Sequence, residues 1–103
     1  QWLINMIKVK IEEKNKEVNK VMITGHALYD DYGKDIVCAS VSSIVITTVN
    51  AILRIDEKAI FVEEKPFVIE VKKSTEITKK LIENMISLLR ELERDYPKNI
   101  RFL

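Results

Sequence analysis

From Met6 the chain reads "MIKVKIEE", with apolar side chains at alternate positions. Successive side chains of an extended strand point to opposite faces, so this alternation predicts a half-buried strand. The polar stretch "KNKEVNK", Lys14 to Lys20, predicts a turn, and "VMITG" a second strand running into Gly25. Strands joined this closely pair antiparallel. Between Ile36 and Leu53 there is no charged residue. The stretch approaches bilayer-spanning length, but Ser40, Ser42, Ser43, Thr47, Thr48 and Asn50 make it too polar for a hydrocarbon interior. No glycine or proline breaks it. Asp35 stands at its front as an N-cap, and Arg54 behind it suits the negative pole of a helix dipole. One helix is expected, covered on most sides, with a partner subunit over whatever a small two-layer domain leaves bare.

"AIFVEE" and "FVIEVKK", joined through "EEKP", predict a second hairpin. In "STEITKKLIENMISLLRELERDY" the residues Ile77, Leu81, Met85, Leu88, Leu92 and Tyr96 recur at steps of three or four, widened by Ile82 and Leu89. That is an amphipathic helix, with Lys79, Lys80, Glu83, Arg90, Glu91 and Glu93 toward water. Pro97 stops it, and "NIRFL" supplies a short last strand. The expected fold is α+β, a two-layer domain of two helices packed on a mainly antiparallel sheet, in the order β-β-α-β-β-α-β.

Composition narrows the picture. A chain of 103 residues holds one domain, expected over 6–103, with "QWLIN" at 1–5 read as upstream or appended sequence. Hydrophobic residues make up 47%, enough for a modest core. Charged residues make up 32% and nearly cancel to +1, which argues against a disordered tail and against a general nucleic-acid binder. A single cysteine cannot form an internal disulfide, and a reducing cytoplasm is its natural setting. One histidine and one cysteine make a poor structural zinc site, which takes four nitrogen or sulfur ligands, so neither a metal nor a cofactor is expected.

The chemistry concentrates in "GHALYDDYGKDIVC", Gly25 to Cys38, which holds the only histidine, the only cysteine and both glycines. Cys38 would be third in the long helix, near free backbone N–H groups and the positive dipole end, which favour thiolate. His26, at a strand-to-loop junction, could lower the thiol pKa further and later deliver a proton to a leaving group. The same N–H groups could stabilise the oxyanion of an acyl transfer. Gly25 and Gly33 bracket "HALYDDY" as two hinges of a loop that could close over a peptide. Ala27 lies in that loop, Tyr29 and Tyr32 could pack on an apolar substrate side chain, and Asp30 and Asp31 could attract a basic one. Plainer readings stand beside these. A lone cysteine near a helix start is most often a small buried hydrophobe, and a lone histidine a surface or hydrogen-bonded residue. Asp35 is a cap before it is a catalytic group, and that reading works against catalysis, because a carboxylate near Cys38 would raise the thiol pKa.

"GHA", a variable loop and then "GKDIVCASVS" resemble the signature of the ribosomal-processing cysteine proteases, the Prp family. Gly25, His26, Ala27, Gly33, Asp35, Ile36, Val37, Cys38, Ala39, Val41 and Ser42 all fall on the motif. The resemblance extends from Met6 to an ending like "YPKNIR". It implies a cysteine endopeptidase that removes the N-terminal extension of a large-subunit ribosomal protein, number twenty-seven, during ribosome assembly, cutting after an aromatic residue. It implies Cys38 as nucleophile and His26 as catalytic histidine. Asp35 and Ser42 match positions the family tends to keep, Ser42 one helical turn beyond Cys38 and within reach of a hydrogen bond near the thiol. Ser40 stands where many members have alanine. A homodimer is also implied, while neither a membrane nor direct nucleic-acid binding is expected. The rival classes are a non-enzymatic ribosome-associated assembly protein, which gives His26 and Cys38 no reason to meet, and a thiol redox sensor, for which the chain lacks a resolving cysteine.

Overall fold

The computed structural model describes residues 6–25 and 36–103. In chain order the elements are β1 (Ile7–Lys14), β2 (Glu17–Thr24), α1 (Ile36–Ile55), β3 (Ile60–Glu64), β4 (Phe67–Val71), α2 (Glu76–Asp95) and β5 (Ile100–Phe102). The order β-β-α-β-β-α-β is the one the periodicities predict. The strands form a 5-stranded sheet in the order β3-β4-β2-β1-β5. Its pairs are antiparallel except β1 with β5, which run parallel with Ile7 beside Ile100.

The alternation read from "MIKVKIEE" places Ile7 and Val9 inward, both fully buried. Across β2, Val21 and Ile23 continue the same face, and Ile69, Ile60 and Ile100 complete it from β4, β3 and β5. Onto this face α1 lays Val37, Val41, Val45, Val49 and Ile52, while α2 lays Ile82, Met85 and Leu89. All of them belong to one core, so both helices cover the same side of the sheet, and among the described residues no helix covers the other side. Met85 has no exposed surface. Met85→Ala is therefore expected to cost about 2–5 kcal/mol in denaturant unfolding, the range for a truncated core side chain that leaves a cavity. A cost under about 1 kcal/mol would mean that the two layers close over the gap.

Three details differ from the pattern-based expectation. The first turn is shorter than "KNKEVNK". Pairing continues to Lys14 opposite Glu17, so only Asn15 and Lys16 turn, both left-handed with φ of 55° and 66°. Polar residues continue the ladder there because this end of the hairpin is half-exposed, and only two residues are needed to reverse it.

The core stripe of α2 is also rotated. Ile77, Leu88 and Tyr96 are exposed, and Thr78 is buried beside Ile82, Met85 and Leu89. Thr78 tolerates burial because its N–H and hydroxyl engage the N-cap Thr75 Oγ1. Toward its C-terminal end the helix also grips β5. Glu93 Oε2 accepts from Phe102 N at 2.8 Å, and the Arg90 guanidinium lies 4.1 Å from the centre of the Phe102 ring.

Third, α1 is not covered on most sides within this chain. Its valine stripe is buried, but Ala39, Ser43, Thr47 and Asn50 are exposed, as are Ile36 at 65% and Ile46 at 49%. By length and composition alone this helix could cross a bilayer, yet its valines belong to the same core as the sheet. Beyond its end, Lys58 N donates to Asp56 Oδ1 at 2.9 Å and holds that carboxyl below its ordinary range.

Candidate active site

The site is set by where two elements end and begin. Ile23 near the end of β2 and Val37 at the start of α1 are both buried in the core that the sheet and the helices share. Two residues after Ile23 comes Gly25, with φ +72 and a backbone so close to Met6 that a Cβ would collide with the Met6 carbonyl oxygen. Only glycine fits there without strain. Gly25→Ala combines a left-handed angle with a clash against backbone, and we expect a loss of about 1–3 kcal/mol in equilibrium unfolding. Unchanged stability would show that the strand exit adapts.

Cys38 is the third residue of α1 and is half-buried. The first turn of a helix carries the positive end of its dipole, so Cys38 stands where a thiolate is favoured. No acidic residue of the first turn offsets that field. The helix fixes the thiol's direction through its flanking valines. Val37 and Val41 point into the core, which leaves Cys38 at the margin between core and solvent. Ser42, also half-buried, follows one turn later on the same flank. Ser40 points elsewhere, its hydroxyl donating to the Ile36 carbonyl at 2.8 Å, so the serine is satisfied within its own helix.

Of the residues the sequence singles out, the structure thus brings Cys38 and Ser42 to one flank of α1 and Gly25 to the end of β2. His26, Ala27, Tyr29, Tyr32, Gly33 and Asp35 lie outside the described residues, as does the loop they form. Among the described residues, no group of three or more His, Cys, Asp or Glu side chains could hold a metal ion. A feature that sequence reasoning missed is an open groove of about 330 Å³ between the helices, lined by Ser40, Ser43, Ile44, Leu88, Glu91, Leu92 and Asp95. No one-dimensional signal marks it, because it exists only where α2 crosses α1. Ser40 lies roughly 200° around the helix from Cys38, so this groove opens on the flank away from the thiol.

Comparison with known proteins bears on what this arrangement does. The family model described as cysteine protease Prp matches residues 6–101. The ribosomal processing cysteine protease Prp of Bacillus subtilis is 31% identical over 107 residues, covering 93% of this chain and 95% of its own. The Staphylococcus aureus protein of the same description is 26% identical over 100 residues, covering 92% and 93%. Among solved structures, S. aureus Prp with a covalently linked product peptide superposes with a TM-score of 0.79 at 31% identity, over 94% of this chain and 97% of that one. The same enzyme with a substrate peptide gives a TM-score of 0.81 at 28% identity, over 95% and 98%. The sheet with two helices on one face, the cysteine in the first turn of α1 and these likenesses agree, and the chain belongs to the Prp family of cysteine proteases that act in ribosomal processing.

Proposed function

We propose that this protein removes the N-terminal extension of a large-subunit ribosomal protein, number twenty-seven, with Cys38 as nucleophile and His26 as its acid–base partner. The observation that carries the reading is the half-buried position of Cys38 in the first turn of α1, at the positive end of the helix dipole. In the reaction, the Cys38 sulfur attacks the scissile carbonyl carbon and forms a tetrahedral oxyanion. Backbone N–H groups at a helix start are donors of the kind that stabilise such a charge. His26 accepts the thiol proton and gives it to the leaving amine, the new N-terminus of the ribosomal protein. Water then attacks the thioester, His26 again acting as base, and the extension leaves with its new carboxylate. Asp35 serves as the cap of α1, and Ser42 supports the thiol from the next turn. Gly25 and Gly33 are the hinges of the intervening loop, with Ala27, Tyr29 and Tyr32 against the aromatic residue before the cut. The fit is supported by the relatives from S. aureus, of which one structure holds a substrate peptide and another a covalently linked product peptide.

The reading includes a cytoplasmic setting and a homodimer. The exposed stripe of α1 carries Ala39, Ile46 and small polar residues with no charge before Arg54, a surface suited to another copy of itself. The test uses purified protein and a synthetic peptide spanning the extension and the first residues of the mature protein. Mass spectrometry is expected to show one cut, after an aromatic residue. An uncut peptide at high enzyme concentration would leave the assembly-protein reading in its place.

A further inference from the structure

The open face of the sheet carries charges in two different arrangements. Along one row of facing residues, Glu12 stands opposite Lys20 and Lys20 opposite Glu70, so signs alternate. At the β1–β5 side the pattern breaks. Ile7, Val9 and Ile100 point into the core, so Lys8, Lys10 and Arg101 point the other way, and all three are exposed. Lys8 is the direct neighbour of Arg101 across the parallel pair. Like charges placed opposite one another oppose sheet formation. The ion pairs among the described residues employ Lys72, Lys73, Lys79, Lys80 and Arg90 and none of these three. The patch borders the functional end of the sheet, because Lys8 also faces Thr24, the residue before Gly25.

We infer that Lys8, Lys10 and Arg101, with the Thr24 hydroxyl beside them, form a docking surface for the phosphate backbone of RNA. Neighbouring strands are about 4.8 Å apart and alternate residues of a strand about 6.8 Å, so the three cations spread over a flat face instead of meeting at a point. A flat array suits a polymer that presents one phosphate per nucleotide along an open backbone. The assignment of RNA over an acidic protein rests on the proposed function, since a precursor of a ribosomal protein is met on or near RNA. The net charge of +1 leads one to expect no direct nucleic-acid binding, and this face departs from that expectation only because its three cations are gathered on one side. The affinity is local and weak, and it turns the end of the sheet that leads to His26 toward the particle.

The experiment measures fluorescence anisotropy of a labelled single-stranded RNA of mixed sequence, titrated with the full chain at low and moderate salt. Three neutralised phosphates predict a log–log salt slope of about −2, a loss of roughly 20-fold for a fourfold rise in salt. The combined variant Lys8→Gln, Lys10→Gln, Arg101→Gln should lose the binding, while Lys72→Gln with Lys80→Gln, on cations already paired, should keep it. Should the triple variant fail to fold, each single substitution is expected to reduce the slope by roughly 0.7. Cleavage of the short free peptide should not change in the triple variant, which separates this surface from the protease reading. No binding by the wild type at low salt, or binding that survives all three substitutions, would overturn the proposal. So would equal binding of poly-glutamate, which would make the face a reader of acidic chains.

Discussion

Cys38→Ala is expected to leave no measurable cleavage of the extended ribosomal-protein peptide while the protein stays folded. The substitution removes the atom to which the proposed mechanism gives the acyl-enzyme bond, and no other cysteine can take its place. Its structural cost should be small. Cys38 is only half-buried, and the start of α1 is held by Val37 and Val41, so the unfolding free energy should change by no more than about 1 kcal/mol. The two measurements belong together, because lost activity with lost stability would say nothing about chemistry. Cleavage at the wild-type rate by a folded Cys38→Ala protein would end the cysteine-protease mechanism for this chain.

The second large effect is expected at His26. Proton transfer by a positioned side chain contributes roughly 10²–10⁴-fold to a rate, so His26→Ala should lower kcat/KM by that order. The thiol supplies a readout independent of turnover. With the histidine gone, alkylation of Cys38 by iodoacetamide at neutral pH should slow, because less of the thiol is ionised. Equal alkylation rates in the two proteins would mean that the helix start alone sets the reactivity of the thiol. His26 would then act only on the leaving group.

The sequence made the elements legible wherever one face of an element is buried and the other wet. The alternation at Ile7 and Val9 and the uncharged run after Asp35 each name their element, because burial enforces the period. It was less informative where two apolar stripes overlap. Ile77 and Leu88 and, one position around, Thr78 and Leu89 both keep helical spacing, and the choice is made in three dimensions, where Ile82, Met85 and Leu89 join the shared core and Glu93 and Arg90 reach β5. That is a tertiary contact without a one-dimensional trace. Of the candidate site, the place of Cys38 in the first turn of α1 was legible, because an uncharged run after a capping residue marks a helix start, while His26 and the loop lie outside the described residues. The positive patch was hidden from composition because a net charge averages over faces, and only the strand register sets Lys8 beside Arg101.

The parallel seam between β1 and β5 governs the order in which the molecule can be completed. Ile7 N donates to Asn99 O at 2.8 Å and Leu103 N to Val9 O at 2.9 Å, so the last strand closes against the first. Forming that seam means closing a loop through almost the whole chain, an entropic cost that local hairpins and helices do not meet. On a nascent chain the β1–β2 hairpin and α1 can assemble while Ile7 and Val9 still border an unpaired edge. That edge and the underside of α2 stay sticky until Ile100 emerges. A protease that processes ribosomal precursors is therefore itself late to mature. Its core is sealed only when translation has reached its final strand.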